Sequence, residues 1–166
     1  MADHGDEWQV WLNLHGAALL LFARQFVASR ADAEDVVQEA FVRFWRLRSS
    51  VAEPAGYMFA CVKGCALDWQ RSRRRRLQRE ECAARPEADP LFIGAPEHGE
   101  RQAAIEAALR ELPKEQAEVL VMKIWGELSF PQIAAALDTS PNTAASRYRY
   151  ALAKLREALA EEPTYE

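Results

Sequence analysis

The sequence contains no uninterrupted run of the roughly 20 apolar residues that a membrane-spanning helix needs. Polar residues interrupt the apolar N-terminal stretch between Val10 and Val27, and no basic stretch with a small-residue cleavage site frames it as a signal peptide. We therefore expect a cytoplasmic protein that does not insert into a membrane.

Cysteine and histidine are scarce, with three of each. Cys61 and Cys65 are four residues apart and would share a helix face, whereas Cys82 stands alone and the histidines are scattered. A disulfide framework or a zinc site needs closer pairs than these. We expect ordinary reduced thiols and no metal, with a redox or metal role of the cysteines as the alternative.

Sequence motifs of enzyme chemistry are absent as well. The chain has no glycine-rich phosphate loop and no paired catalytic constellation. We therefore expect no enzymatic activity and no cofactor.

The sequence instead shows helical periodicity, and the period-two alternation of strands is absent. From Trp8 to Phe26 apolar residues recur every three or four positions. Asp32 is expected to cap a second helix. Pro54 suits the first turn of a third helix, which would continue into a run of arginines. This half of the chain is predicted to be all-helical.

The net charge of −4 hides two basic islands. The first contains Lys63, Arg71, Arg73, Arg74, Arg75, Arg76 and Arg79, and the second contains Arg147, Arg149, Lys154 and Arg156. Because attraction to phosphate acts locally, the pattern predicts two surfaces that bind a polyanion. Solvated helix faces are the alternative.

A polar, acidic stretch with several prolines and glycines separates the islands at residues 80–100, and we interpret it as a linker. Its only apolar cluster, Leu91 to Ile93, is expected to dock without folding alone. A second helical group follows. One of its helices is predicted to span Lys114 to Trp125 and to end at Gly126.

Residues 128–159 predict a helix-turn-helix. Ser129 and Gln132 fit a capping box at the start of a short helix, and Ser140-Pro141 begins the next helix by similar chemistry. Only Asp138 and Thr139 separate the two. A recognition helix presents its N-terminal residues to base edges in the major groove. A plain helical hairpin with a charged exterior is the alternative.

Three segments, read together, carry a family resemblance. They are "ADAEDVVQEAFVRFWR" (31–46), "CALDWQRSRRRR" (65–76) and "ELPKEQAEVLVMKIWGELSFPQIAAALDTSPNTAASRYRYALAKLREAL" (111–159). In this order they resemble the region-two and region-four domains of bacterial sigma-70 family sigma factors of the extracytoplasmic-function (ECF) group. The resemblance implies an all-α fold with two small helical domains, 1–78 and 101–161, joined by a flexible acidic linker, 79–100.

The resemblance also implies which residues contact each partner. The core RNA polymerase would be bound by Asp35, Gln38, Glu39 and Val42. The minus-ten promoter element would be read by Tyr57, Lys63, Gly64, Asp68, Arg71, Arg73, Arg74 and Arg75. The minus-thirty-five element would be read by Asn142, Thr143, Ser146, Arg147, Arg149 and Tyr150. An anti-sigma factor that covers both domains is a further implied partner.

The sequence departs from the family pattern at three positions. Gly64 stands where an asparagine is common, Tyr150 where a basic residue is common, and Asp138 where the turn often has glycine. Aspartate tolerates left-handed backbone angles, so the turn is expected to form.

Two other functions fit parts of the sequence. A LuxR-type helix-turn-helix regulator would explain residues 128–159 but leaves residues 31–76 without a purpose. A helical adaptor that mimics a sigma factor and binds only protein would explain the fold but not the arginines of the last helix.

Overall fold

The computed structural model describes residues 4–80, 88–92 and 99–160. Within them the chain forms seven α-helices, one 3-10 turn and no strand, which confirms the predicted all-α fold. The helices are α1 (His4–Ala23), α2 (Arg30–Leu47), α3 (Pro54–Arg79), α4 (Gly99–Glu111), α5 (Lys114–Ile124), α6 (Phe130–Ala136) and α7 (Pro141–Ala160), and the 3-10 turn is Arg48–Ser50. None of these described helices is both long and apolar enough to cross a membrane.

The N-terminal half is a bundle in which α2 and α3 pack together and α1 lies against both. Its core is aromatic, because Phe22, Phe44 and Phe59 are fully buried. The rings of Phe22 and Phe59 meet edge to face with centroids 5.2 Å apart, an arrangement that aromatic quadrupoles favour.

The start of α2 corrects the expected cap. Ser29, not Asp32, is the N-cap: it has extended backbone angles, and its Oγ accepts a hydrogen bond of 3.0 Å from the Asp32 N–H. The prediction was wrong because serine and aspartate compete for this role and Ser29 lies where the chain enters the helix. Asp32 sits in the first turn, where the helix dipole still favours its charge.

The C-terminal half is built around α7, which packs against α4, α5 and α6. The buried side of α7 consists mainly of small residues: Ala144 and Ala151 are fully buried, and Leu155 follows one turn further along the helix. Phe130 of α6 meets Tyr148 of α7 edge to face at 5.7 Å. Small residues on α7 let the short α6 lie close against it.

Gly126 lies just past the end of α5, as predicted: the helix ends at Ile124, and the Gly126 N–H donates to the Val121 carbonyl at 3.1 Å. The residue with a left-handed backbone is Glu127, with φ of 53°, and no described glycine has positive φ. A Cβ at Gly126 would stand 2.6 Å from the Met122 carbonyl oxygen and 2.9 Å from Cζ of Phe59. Glycine is therefore needed here for space, where the end of α5 approaches α3.

The two halves share one buried cluster, in which α1 packs against α5 and α3 packs against α6. Leu91 and Phe92 of the linker dock against this cluster, and the Phe92 ring lies 6.0 Å from the Trp125 ring. Ile93 and Cys82 lie outside the described residues. The domain limits 1–78, 79–100 and 101–161 remain a prediction.

Gly126→Ala is expected to lower the free energy of unfolding by about 1–3 kcal/mol, because the added methyl group overlaps a backbone carbonyl that cannot move freely. The matched control is Gly16→Ala in α1, where nothing lies within 4 Å of the new methyl group. That control should be neutral or stabilising by up to about 1 kcal/mol. Urea unfolding followed by circular dichroism compares them, and equal stability of the two variants would contradict the tight contact.

Candidate nucleic-acid interface

The helix-turn-helix forms as predicted. Ser129 and Gln132 make a reciprocal capping box at the start of α6. Asp138 takes the left-handed conformation with φ of 52°, and the next residue, Thr139, donates its N–H to the Ala134 carbonyl at 2.9 Å. This pattern closes the end of a helix when one residue adopts left-handed angles. Ser140 Oγ then accepts the Thr143 N–H at 3.1 Å and caps α7.

The candidate minus-thirty-five residues occupy two adjacent rows on α7. Asn142, Ser146 and Arg149 follow each other at four- and three-residue steps, as do Thr143, Arg147 and Tyr150, so each set lies along one line of the helix surface. Asn142, Arg149 and Tyr150 are exposed, the last at 66%. Thr143, Ser146 and Arg147 are half-buried.

Hydrogen bonds pre-orient part of this face. Arg149 Nη2 donates to Ser146 Oγ at 3.2 Å. The Thr143 hydroxyl accepts a hydrogen bond of 2.9 Å from Ser140 Oγ, so its side chain belongs partly to the cap. Arginine can donate two hydrogen bonds to guanine, and serine and asparagine serve bases or phosphates. The face therefore has the donors of a major-groove reader.

The candidate minus-ten residues lie along α3 but do not form one patch. Five of them follow each other at steps of seven, four, three and four residues, which places them on one side of the helix: Tyr57, Gly64, Asp68, Arg71 and Arg75. Lys63, Arg73 and Arg74 point to other sides. Tyr57 and Arg75 are separated by about 27 Å along the helix axis. The structure thus divides the set between the middle and the far end of α3.

Three of the α3 candidates already have charged partners: Lys63, Asp68 and Arg71. Lys63 Nζ contacts Glu118 Oε2 of α5 at 2.8 Å. Asp68 accepts from Arg43 at 3.1 Å and from Arg71 at 3.2 Å. Asp68 therefore holds two arginines in place, and we assign it an organising role between α2 and α3.

The most exposed basic residues lie at the end of α3. Arg71, Arg74 and Arg75 are exposed. The guanidinium carbon of half-buried Arg73 lies 5.2 Å from the Trp69 ring centroid, at cation–π distance. A basic groove with neighbouring aromatic rings is the usual means of binding unpaired nucleotides.

A cleft of 510 Å³ between α2 and α3 was missed by the sequence reasoning. Arg43, Arg46 and Leu47 of α2 line it together with Tyr57, Ala60, Cys61 and Gly64 of α3. A methyl group added at Gly64 would have no atom within 4 Å. The α3 side of the cleft is therefore open at this position. Arg43 and Arg46 come from α2, which the sequence assigned to another partner, and only packing brings them to Tyr57.

The candidate polymerase-binding residues form an exposed strip on α2. The strip consists of Asp35, Gln38, Glu39 and Val42, which follow each other along α2 at steps of three, one and three residues. All four side chains are exposed, Val42 at 48%. Glu39 also accepts a hydrogen bond of 3.2 Å from Arg43, the residue that reaches Asp68. The strip is acidic with an apolar centre, and it borders the cleft.

Both described cysteines are poor nucleophiles. Burial raises the pKa of the Cys65 thiol to about 11. Burial also raises the pKa of Cys61, although its hydrogen bond with Tyr57 and the nearby Arg43 act in the opposite direction. Burial likewise raises the pKa of the Tyr57 phenol. Reactive thiols have lowered pKa values. We therefore expect Cys61 and Cys65 to have a structural role, in the packing of α3.

Comparison with known families decides the identity. The profile of Sigma-70 region 2 matches residues 12–76, and that of Sigma-70, region 4 matches residues 102–155. The chain belongs to the sigma-70 family of RNA polymerase sigma factors. A sigma factor binds core RNA polymerase and directs promoter recognition in transcription initiation. The two matched regions coincide with the α1–α3 bundle and with the half that ends in the helix-turn-helix.

Relatives place this sigma factor in the ECF group. It is 30% identical to the RNA polymerase sigma-E factor of Streptomyces avermitilis, over 94% of this chain and 88% of that protein. It is 29% identical to the ECF RNA polymerase sigma factor SigL of Mycobacterium tuberculosis, over 89% of this chain and 85% of the relative.

Solved structures share the fold of this sigma factor. The sigma factor RpoE of Bartonella quintana, in complex with the anti-sigma factor NepR, aligns with a TM-score of 0.71 at 22% identity, covering 95% of this chain and 99% of the other. CnrH, in complex with the cytosolic domain of CnrY, aligns with a TM-score of 0.62 at 24% identity, over 98% and 93%.

The raised thiol pKa values predict slow alkylation. At pH 8 a thiol with a pKa of about 11 has about 100-fold less thiolate than one at the ordinary value near 9, so Cys65 should react with iodoacetamide about 100-fold more slowly than in the unfolded chain. Cys61 should also be slowed. Mass spectrometry of the peptides measures both rates, with the chain in urea as the control. Rates equal to those in urea would show that burial does not protect the thiols.

Proposed function

We propose that this sigma factor divides promoter recognition between its two halves and acts in the cytoplasm, where polymerase and chromosome meet. The α7 face reads the minus-thirty-five element as duplex. The α3 residues and the cleft beside Tyr57 bind the minus-ten element as single strand. The exposed strip on α2 binds the core polymerase. This chain itself makes and breaks no covalent bond.

The observation that carries the minus-thirty-five assignment is the capped α7 with two rows of polar residues at its N-terminal end. Ser140 and Asp138 fix where the helix begins, which sets the residues that a groove would meet first. Arg149 is exposed and held by Ser146. These features support direct reading of base edges with flanking contacts to phosphate.

The minus-ten assignment is supported by charge and shape together. Arg71, Arg74 and Arg75 offer an exposed track for the phosphate backbone. The cleft offers a ring at Tyr57, cations at Arg43 and Arg46 and an open wall at Gly64. Unpaired bases bind by stacking on aromatic rings beside cations. We assign the cleft to a base that leaves the duplex when the promoter opens.

An anti-sigma factor is a further proposed partner. The solved structures of similar fold are complexes of a sigma factor with an anti-sigma factor or with a cytosolic domain of a second protein. The exposed apolar residues Val42 and Leu47 on α2 offer such a partner a surface that the polymerase would also need. Competition for that surface would keep this sigma factor from the polymerase.

The experiment that tests the function is transcription in vitro with core polymerase and a genomic DNA library, followed by mapping of start sites. We expect the added protein to produce discrete starts that share two upstream elements. Absence of both specific starts and association with core polymerase would contradict the proposal.

Arg147→Ala and Arg149→Ala test the recognition face on a promoter found in that way. Each lost base contact should cost about 1–3 kcal/mol, which is about 5- to 150-fold in promoter use. Arg101→Ala is the matched control, because it removes the same charge from an exposed position of α4, outside both basic islands. Transcription unaffected by both test variants would mean that α7 presents another face to DNA.

Asp35→Lys tests the polymerase surface. A lysine in the acidic strip should repel a basic partner and weaken binding of core polymerase at least about tenfold, because like charges across an interface cost several kcal/mol. Asp6→Lys makes the same charge change at an exposed position of α1 and serves as the control. Fluorescence anisotropy of the labelled protein with core polymerase gives both affinities. If both variants bind alike, the surface lies elsewhere.

A further inference from the structure

Two arginines of α2 line the cleft beside Tyr57, and they differ in how they are held. Arg43 donates from Nε to Glu39 at 3.2 Å and from Nη1 to Asp68 at 3.1 Å. Arg46 lies three residues later, exposed in the last turn of α2, and its side chain forms no ion pair or hydrogen bond with any residue that the structure describes. The guanidinium group of Arg46 is therefore available to a ligand.

The strong hydrogen-bonding groups of the cleft are donors. The seven described residues that line it include Arg43 and Arg46 but no carboxylate or amide side chain. A guanidinium group donates hydrogen bonds and accepts none. The other two polar side chains, Tyr57 and Cys61, are hydrogen-bonded to each other. A ligand that fits the cleft must therefore bring hydrogen-bond acceptors.

The α3 side of the cleft adds no polar group at Gly64. Asparagine, which is common at this position in the family, both donates and accepts hydrogen bonds. Glycine has no side chain to do either, and the position is open, with no atom within 4 Å of an added methyl group. Polar recognition in this cleft therefore comes from the arginines of α2.

Tyr57 gives the cleft a surface for stacking. Its ring lies against the buried Phe44, with centroids 6.1 Å apart. Burial raises the pKa of its phenol, so the ring stays neutral. The volume of 510 Å³ lies within the range of about 300–1,000 Å³ that is usual for small organic ligands. A neutral ring beside cations, in a cleft of this size, suits a single unpaired base.

The need for acceptors distinguishes the four bases. Guanine presents two neighbouring acceptors, N7 and O6, and arginine binds this pair with two hydrogen bonds. Adenine presents N7 beside a donor amino group, and cytosine also carries an amino group. Thymine presents O4 beside a methyl group. Guanine is therefore the base whose edge matches an arginine in a cleft of donors.

We propose that Arg46 determines which base the cleft accepts, and that this base is guanine, bound by the Arg46 guanidinium at N7 and O6 while its ring stacks on Tyr57. The inference rests on the proposed role of the cleft in binding an unpaired base of the minus-ten element. Arg43, which Glu39 and Asp68 hold in place, adds fixed positive charge beside that nucleotide. A residue of α2 thus sets the specificity of a site whose other wall is α3.

Base substitution on an opened template tests the proposal. The template carries a promoter mapped with this sigma factor and a non-complementary bubble over the minus-ten element, so that melting of the duplex does not limit binding. Each position of the bubble, on either strand, carries each of the four bases in turn. Fluorescence anisotropy of the labelled DNA with core polymerase and this sigma factor gives the apparent Kd for every base.

We expect one position at which guanine binds at least about fivefold more tightly than each other base, the lower limit for a bidentate contact. At that position 7-deazaguanine, which lacks the N7 acceptor, should lose most of the advantage. Arg46→Ala should reduce the preference to below about twofold and should bind guanine and 7-deazaguanine alike, because the bidentate contact is gone.

Arg46→Gln tests the reading of the base edge more directly. Glutamine can donate to N7 and accept from the amino group of adenine, so the advantage of guanine over adenine should shrink at least about fivefold. Arg30→Ala is the matched control, because it removes a charge from an exposed position at the start of α2, outside the cleft. It should leave the base preference unchanged.

The proposal is overturned if no position of the bubble favours guanine, or if the guanine preference persists in Arg46→Ala. Tyr57→Leu, which removes the ring but keeps an apolar side chain, separates this failure from that of the proposed site. Weaker binding by Tyr57→Leu without a guanine preference would mean that the cleft binds another base. If neither Tyr57→Leu nor Arg46→Ala alters binding, the proposed role of the cleft fails as well, whereas discrete transcription starts would still support the sigma-factor function.

Discussion

Burial of Phe59 between the two halves is the constraint on which the rest of the structure depends. Its ring is fully buried, meets Phe22 of α1 edge to face, and faces Gly126 at the end of α5. Burying a phenylalanine side chain contributes about 1.5–3 kcal/mol to the free energy of folding. Because one ring serves both halves, their relative position is set by packing as well as by the linker.

Electrostatics then divides the arginines and lysines into two kinds. Some are fixed by partners inside the molecule, as Lys63 is by Glu118, Arg43 by Asp68 and Arg24 by the linker carbonyls. Burial lowers the pKa of Arg24, which is consistent with a structural cation. Others, such as Arg74, Arg75 and Arg149, remain exposed. Only the exposed group can attract phosphate without first breaking a contact.

The same surface elements serve more than one purpose. Arg43 links the strip on α2 to Asp68 and also lines the cleft beside Tyr57. Polymerase binding at α2 would therefore act next to the residues proposed to hold an unpaired base. A partner that binds the strip and moves the Arg43 side chain would change the shape of the cleft without entering it. The reason is that Arg43 contacts the strip and also lines the cleft.

The helices and the helix-turn-helix could be predicted from the amino-acid sequence, because those depend on local chemistry. The capping box of Ser129 and Gln132, the hydroxyl cap at Ser140 and the left-handed Asp138 all follow from residues within a few positions of each other. The predicted N-cap at Asp32 was wrong, because Ser29, three residues earlier, caps α2 instead. The two rows of α7 candidates follow from their spacing, since helical geometry fixes which residues are neighbours.

How strongly each α3 candidate is engaged by a partner follows from packing and could not be predicted from the sequence. Lys63 and Arg71 look equivalent in the sequence, yet Lys63 is paired with a buried glutamate 55 residues away, whereas the partner of Arg71 is the exposed Asp68, three residues before it. Gly126 follows the end of α5 as predicted, but only packing shows that glycine also makes room there for Phe59. Contacts between distant residues depend on how helices pack. The hydrophobic pattern of a helix predicts which of its faces is buried, but the hydrophobic effect is not directional and does not specify which other helix covers that face.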